Sequence, residues 1–539
     1  MGPLPLPPRR SAFGRELCND DTHWGLVERR ARDTPAGIAL RYGDQSMSFL
    51  ELRERAARLA AGLAALGIGK GDVVAVQLPN IPEFVVTHAA VSALGAVTQT
   101  VHMAYRGAEL GFLLAHSEAR ACVCLAHFKD ESPATEALAL SREISALSHV
   151  IALGEKHEGP LFYGDLAASA PLAKFPEVSA DDPFLLLYTS GATDNPKGVP
   201  LEARGVLANA RLSLPELEIG ERDVLLPAAP LTHFYGLWNG YLSLYSGAAI
   251  SLLPAFTPAE LAEQVEKHRA SCVFAAPAQI KPILEARLME RHDFSSVRFV
   301  CLSGSAVPPA LAEAIEAKLA ASGGKTLQLF GMSELQAGAY TRPRDPADVR
   351  HRTAGAAAPG TELRVVDEGG AALEAGTEGR LQARGAAVFS GYVKDPAATA
   401  EAFTGDAWFE TGDTARLTPE GHLVLTGRVR EIIHRGEVKF SPREIEALIE
   451  RVPGVARSAI VSYADATLGE RTCVFVQLAP GAPPPSLAAI TRALDKEGVA
   501  KFKWPERLEL MDALPLTPTQ KVMRGRLREL LSRKQAEAQ

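Results

Sequence analysis

Phe184-Leu185-Leu186-Leu187-Tyr188-Thr189-Ser190-Gly191-Ala192-Thr193-Asp194-Asn195-Pro196-Lys197-Gly198 is the stretch on which the reading of this chain turns. Its apolar start reads as a buried strand that runs into a loop of hydroxyl and small residues holding one lysine. Small residues let backbone N–H groups approach an anion. The hydroxyls of Thr189, Ser190 and Thr193 add donors, and Lys197 adds a point charge. This is a composition suited to cradling phosphate, although the loop taken alone also fits a surface turn. It is not a Walker loop, since Lys197-Gly198 stands where Gly-Lys-Ser/Thr is required. Ser322-Gly323-Gly324-Lys325-Thr326 ends like one, but its upstream glycine position is Leu319, inside a helix, so it reads as a helix-to-strand turn.

Working outward, helix and strand signals alternate. Ser48-Phe49-Leu50-Glu51 is a capping box, followed by Leu52, Ala56, Leu59, Leu63 and Leu66 at helical spacing, with Gly67 as a left-handed stop. A strand is expected at 73–78, a helix at 82–94, a strand at 96–101, a helix at 106–115 and a strand at 121–125. The rhythm returns with strands at 273–275, 298–302 and 326–330 and helices at 279–290 and 308–321. Such alternation implies an α/β fold of layered, parallel-type sheets covered by helices, with ligands at the carboxyl ends of the strands. The loops Thr189-Ser190-Gly191, Ser303-Gly304-Ser305 and Gly331-Met332-Ser333-Glu334 are therefore the candidate site. From about 362 the pattern changes to a small β-rich subdomain of short strands at 363–366, 379–383 and 423–425. After Gly427 an α+β unit begins, with a second capping box at Ser441-Pro442-Arg443-Glu444 and strands at 459–462 and 473–478. The expected domains are 1–427 and a small mobile domain at 428–539.

Composition narrows the function classes. Hydrophobic residues make up 47% of the 539 and charged residues 22%, values of a globular chain with a large core, which excludes general disorder. Fifty-seven basic against 64 acidic residues leave a net charge of −7, so neither nucleic acid nor an anionic membrane is an expected partner. No stretch approaches the ~18 uninterrupted apolar residues of a membrane span, and residues 1–10 lack the basic start and apolar region of a signal peptide. Six cysteines are too few for a disulfide scaffold. Cys122 and Cys124 alternate onto one strand face as a core pair rather than a metal site, and a reducing cytoplasm is expected.

Five segments occur in order: Thr189 to Gly198, Phe330-Gly331-Met332-Ser333-Glu334, Thr411-Gly412-Asp413, Gly427-Arg428-Val429-Arg430-Glu431, and Pro515-Leu516-Thr517-Pro518-Thr519-Gln520-Lys521. Together they resemble the signature motifs of the adenylate-forming superfamily of acyl-CoA synthetases, adenylation domains and beetle luciferases, over residues 20–530. The resemblance implies a large N-terminal domain, a mobile C-terminal one and two steps. A carboxylate and ATP give acyl-AMP and pyrophosphate, and a thiol then takes the acyl group. It implies that Thr189, Ser190, Gly191, Thr193 and Lys197 hold the β- and γ-phosphates and that Glu334 binds Mg²⁺. Ser333 is implied as a donor to the α-phosphate. Ser303, Gly304, Ser305 and Phe330 would flank adenine, with Phe330 stacked on the ring, and Gly331 and Met332 would belong to the same nucleotide site. Asp413, assisted by Arg428, would accept from the ribose hydroxyls, and Lys521 would bridge the attacking carboxylate and the α-phosphate. Arg430 falls at the hinge.

In the same resemblance His233, Phe234, Gly304 and Gly331 line the acyl pocket, while Glu437 and Lys439 lie along the CoA tunnel. Amino-acid-activating relatives carry an aspartate in the segment Thr232 to Asn239. None occurs here, so an apolar cyclic, aromatic or medium-chain carboxylate is favoured. Residues 101–109 look most like cyclohexanecarboxylate-type CoA ligases. The chain departs from the pattern at Ala192 and Asp194, where a hydroxyl residue and a glycine are usual, and at Gln520, where glycine is usual. Glu437 also stands in place of a glycine beside the tunnel, adding bulk and charge that would impede CoA. CoA, a carrier-protein phosphopantetheine, and a single half-reaction therefore stay open, as does a non-catalytic adenylate-binding protein.

Overall fold

The computed structural model describes residues 4, 6–8, 10–156, 158–189, 196–431, 433–435, 438–465, 469–497, 499, 501–517 and 520–537. The chain divides into two compact units. The first draws on Met1–Thr189, Asn195–Glu362 and Ala383–Phe409, the second on Leu363–Gln382 and Glu410–Gln539.

The first capping box forms. The Ser48 amide donates to Glu51 Oε2 at 2.7 Å and the Glu51 amide to Ser48 Oγ at 3.2 Å, so two orphan donors at the start of helix Phe49–Ala65 are satisfied reciprocally. Leu52, Ala56, Leu59 and Leu63 are buried along one stripe, and Gly67 follows at φ 79°. The stripe packs on helix Pro82–Ala93, which is buried from Val86 to Ala93. His88 on that helix bonds through Nδ1 to Thr98 Oγ1 and through Nε2 to Tyr241 OH, tying a sheet strand to helix Phe234–Ser246.

The first unit carries two layered sheets. Seven strands run in the order Leu161–Phe162, His149–Leu153, Ala121–Leu125, Val73–Gln77, Val97–Thr100, Pro183–Thr189, Lys197–Glu202. Every pair is parallel except the last, which is a hairpin. In the second sheet the parallel run is Lys325–Met332, Phe299–Leu302, Cys272–Ala275, Val224–Pro227, Ala249–Ser251 and Ile38–Tyr42. Antiparallel strands Gln336–Tyr340, Ala356–Ala357 and Gln45–Ser48 complete its nine. Cys122 and Cys124 are both fully buried in one apolar cluster, as expected of a core pair.

The second unit holds a four-stranded sheet in the order Thr361–Val366, Gly379–Gly385, Phe409–Leu417, Leu423–Arg428. A further sheet is built on the long pair Val455–Asp465 and Gly469–Leu478, with period-2 burial on both faces. Ile460, Val474 and Val476 pack with Ile445, Ile449 and Ile490, while Ala459, Val461, Cys473 and Phe475 pack with Leu527 and Leu531. The expected boundary at 427/428 falls within strand Leu423–Arg428, whereas the second unit takes in the chain from Glu410 onward.

Three local expectations are corrected. The helix expected at 279–290 is two helices, Pro277–Glu285 and Leu288–Arg291, because Arg287 adopts the left-handed conformation at φ 54°. The strand expected to end at 330 continues to Met332, carried by its antiparallel pairing with Gln336–Tyr340. The second capping box does not form. Ser441 is the N-cap of helix Pro442–Ile449 without a side-chain cap bond, and its Oγ lies 2.4 Å from where a Cβ on Gly427 would stand.

Candidate functional site

The loops after Val224–Pro227, Phe299–Leu302 and Lys325–Met332 leave the carboxyl edge of the nine-stranded sheet. After Leu302, Ser303 is buried while Gly304 and Ser305 are exposed. Gly304 takes φ 90°, and a methyl group there would meet no atom within 4 Å, so it floors open space. Gly331 is needed for the opposite reason. A Cβ there would stand 2.1 Å from the Gln336 carbonyl oxygen, which only glycine permits in this hairpin. Phe330 is 7% exposed, Met332 half-buried and Ser333 buried.

The loop after Pro227 is tied to the seven-stranded sheet. Asn80 donates to the Ala229 carbonyl and accepts from the Leu231 amide, while the Thr100 hydroxyl donates to the Thr232 carbonyl. His102 Nδ1 lies 2.8 Å from Thr232 Oγ1, and burial lowers its pKa to about 4, so the ring is neutral. His233 is the N-cap of helix Phe234–Ser246, its Nδ1 accepting from the Tyr235 amide at 3.2 Å. Phe234 and Tyr235 are buried, and the Tyr235 hydroxyl donates to the Cys301 carbonyl at 2.8 Å.

Strand register sets Thr189 directly across from Lys197 in the antiparallel pair that flanks residues 190–195. Lys197 Nζ lies 4.8 Å from the centroid of the Tyr392 ring, and the Tyr392 hydroxyl donates to Glu334 Oε1 at 3.1 Å. Tyr392 therefore joins the loop lysine to the carboxylate implied as the Mg²⁺ ligand. Sequence reasoning missed it. The only local signal is a tyrosine after a glycine in Ser390-Gly391-Tyr392, and its significance comes from a contact 58 residues away.

In the second unit Asp413 and Arg428 are register partners across a β-hairpin, with Arg428 Nε donating to Asp413 Oδ1 at 3.1 Å. Gly412 before it takes φ 75°, a conformation that suits glycine, and the Thr411 hydroxyl donates to the Leu381 carbonyl. Asp413 is 4% exposed. Burial raises its pKa above the usual aspartate value, while Arg428, Arg443 and Lys521 pull it down. Lys521 ends a tight turn, its amide bonded to Thr517 Oγ1 at 3.1 Å and its carbonyl accepting from the Thr517 amide at 2.7 Å. Gln520 within that turn has φ 64°, the left-handed region where glycine is free of strain.

Arg430 is the centre of the short turn Val429–Glu431 and Lys439 of strand Val438–Phe440; their side chains lie outside the described residues. Ser190, Gly191, Thr193 and Glu437, with Ala192 and Asp194, also lie outside them. Arg524, which in sequence sits among tail cations, is instead an internal ion-pair partner. It meets Glu446 with both Nη atoms at 2.6 and 2.8 Å and Glu431 at 3.3 Å.

Among the described residues no group of three or more His, Cys, Asp or Glu is arranged to hold a metal ion. Glu334 is a single buried carboxylate with an oxygen fixed by a hydroxyl. That donor set fits Mg²⁺ arriving on nucleotide phosphates, which uses one or two carboxylates rather than an all-protein cage.

Residues 27–393 match the AMP-binding enzyme family and residues 444–521 the AMP-binding enzyme C-terminal domain. The chain is 30% identical over 533 residues to the medium-chain fatty-acid–CoA ligase of Escherichia coli (strain K12), covering 98% of this chain and 93% of that one. It is 32% identical over 517 residues to the 2,3-dihydroxybenzoate-AMP ligase of Bacillus subtilis (strain 168), covering 95% and 94%. The solved structure of ATP-bound MatB from Rhodopseudomonas palustris matches it with a TM-score of 0.84 at 27% identity, over 94% of this chain and 98% of that one. Fold, motif order and these likenesses agree: the chain belongs to the AMP-binding family of adenylate-forming enzymes.

Proposed function

We propose that the chain is an acid–thiol ligase. It joins a carboxylic acid to the α-phosphate of ATP, releasing pyrophosphate, and then passes the acyl group to the thiol of CoA with release of AMP. A carboxylate resists nucleophiles because its leaving group is oxide, and its own attack on phosphate brings two anions together, so the site must supply cations and donors. The observation that carries this reading is Asp413, a buried carboxylate paired with Arg428 and lying in the field of Lys521. One unit thereby supplies both an acceptor for ribose hydroxyls and a lysine for the reacting carboxylate.

In this reading Thr189, Ser190, Gly191, Thr193 and Lys197 take the terminal phosphates, Ser333 the α-phosphate and Glu334 the Mg²⁺. Ser303, Gly304, Ser305 and Phe330 take adenine, with Gly331 and Met332 in the same nucleotide site. His233 and Phe234, with Gly304 and Gly331, border the acyl group. Buried Phe234 and Tyr235, and the lack of any acid from Thr232 to Asn239, support an apolar acid. Residues 428–539 turn about Arg430 between the two steps, bringing Glu437 and Lys439 to the CoA tunnel.

A second reading, transfer to a carrier-protein phosphopantetheine, is favoured by the bulk and charge that Glu437 would bring to the CoA tunnel. The test is to incubate the chain with ATP, Mg²⁺ and a panel of aliphatic, cyclic and aromatic acids, offering CoA and a carrier protein separately. Acyl-CoA is the expected product. Acylation of the carrier alone gives the second reading, and absence of AMP with every acid supports a non-catalytic adenylate-binding protein.

A further inference from the structure

We infer that Tyr392 is a positioning residue for the metal-bearing phosphates, presenting Lys197 and Glu334 together to one Mg²⁺–triphosphate. The inference rests on the adenylating function proposed above and names a residue that its motifs do not contain.

Tyr392 touches both charges through different parts of one buried side chain. Its hydroxyl donates to Glu334 Oε1 at 3.1 Å, and its ring carries the Lys197 ammonium at 4.8 Å from the centroid. Both contacts leave the charges intact. A hydroxyl donor fixes the carboxylate's rotamer, and a ring face attracts an ammonium without neutralising it. A lysine paired directly with the carboxylate would spend both charges on each other.

The backbone around Tyr392 is fastened to the same two partners. The Phe389 amide donates to the carbonyl of Glu334 itself at 2.8 Å, and the Val393 amide to the carbonyl of Gly198, next to Lys197, at 2.9 Å. The Tyr392 amide donates to Thr399 Oγ1 at 2.9 Å, and the Phe389 ring packs 4.8 Å from the Tyr392 ring. Gly391, at φ 150°, allows this approach, since a Cβ there would stand 2.5 Å from Thr399 Cγ2. Segment 389–393 thus sets the position of the phenol relative to the loop lysine and to the carboxylate at once. Groups that orient a metal ligand from behind are typically worth tenfold to a hundredfold in metal affinity.

The test separates the two contacts. Tyr392→Phe keeps the ring and loses the hydroxyl, while Tyr392→Leu loses both. Binding of ATP is measured by titration calorimetry with Mg²⁺ and with EDTA, alongside the Mg²⁺ dependence of pyrophosphate release. The expected result for Tyr392→Phe is about a tenfold higher Mg²⁺ requirement with metal-free ATP binding unchanged. Tyr392→Leu should in addition weaken metal-free ATP binding about three- to fivefold. Tyr392→Phe differs by one oxygen and keeps its packing on Phe389, so the test stands even where the leucine variant fails to fold. Equal Mg²⁺ dependence in wild type and Tyr392→Phe overturns the inference while leaving the adenylating function in place. So does an equal loss with and without Mg²⁺, which marks a packing effect only. A wild-type chain that binds no MgATP overturns the function, and the inference with it.

Discussion

Glu334, in the turn after strand Lys325–Met332, and Asp413, within strand Phe409–Leu417, are both carboxylates under 10% exposed, yet Tyr392 and Arg428 meet them with different kinds of group. Glu334 is held by the neutral Tyr392 hydroxyl, with the nearby lysine resting on an aromatic face. Asp413 is met directly by Arg428, with Arg443 and Lys521 adding to the positive field. The difference follows from the partner each is proposed to meet. A carboxylate that binds Mg²⁺ must offer its full charge, whereas one that accepts from uncharged ribose hydroxyls needs cations to keep it ionised while buried.

The strongest way to break this comparison acts on the cation shared with Asp413. Lys521→Ala should lower carboxylate-dependent pyrophosphate formation by about 10²–10³-fold, as expected when a donor aimed at developing charge is removed. ATP binding, measured by calorimetry, should persist. A variant that loses nucleotide binding instead would make Lys521 an anchor of the Asp413 side.

Asp413→Asn should weaken ATP binding by about tenfold to a hundredfold, the range for a lost hydrogen bond to a charged group. Its pH behaviour sharpens the contrast further. Because burial raises the folded-state pKa, stability from this group is present at acid pH and lost as pH rises through that pKa. At pH 7 the asparagine variant should therefore melt slightly higher than wild type while binding ATP less well. In wild type the acid limb of ATP binding should lie above the ordinary aspartate value of about 3.9.

A smaller effect guards that experiment. His23 and His88 lie with ring centroids 4.3 Å apart, tilted by 31°, in the core of the first unit, and burial lowers the His23 pKa to about 3 and that of His88 well below its usual value. Depressed folded-state values mean stability present above about pH 6.5 and lost as pH falls toward 3. His23→Phe should flatten the decline in melting temperature over that window. Acid unfolding in this region is thus separable from protonation of Asp413, which is read by ligand binding.

Much of the frame was legible because its causes are local. The Ser48–Glu51 box, the apolar stripe from Leu52 to Leu63 and the parallel βαβ units depend on spacing within one element or its neighbours. The glycine positions of the motifs were also readable, and the structure supplies their reasons: close approach at Gly331 and backbone conformation at Gly412. Gln520 keeps the left-handed turn before Lys521 at a strain of about 1–2 kcal/mol that glycine avoids. What was not legible depends on long-range assembly. Tyr392 meets Glu334 across 58 residues, and Arg524 meets Glu446 across 78. Ser441 makes no cap bond, and its Oγ lies against Gly427. No spacing rule reaches such contacts.

The most direct measurement of the central claim is exchange of labelled pyrophosphate into ATP by the wild-type chain with Mg²⁺ and each acid of the panel, with no thiol added. The expected result is exchange that requires a particular carboxylic acid, because acyl-adenylate formation is reversible before any acceptor arrives. Bound ATP with no exchange for any acid would contradict it.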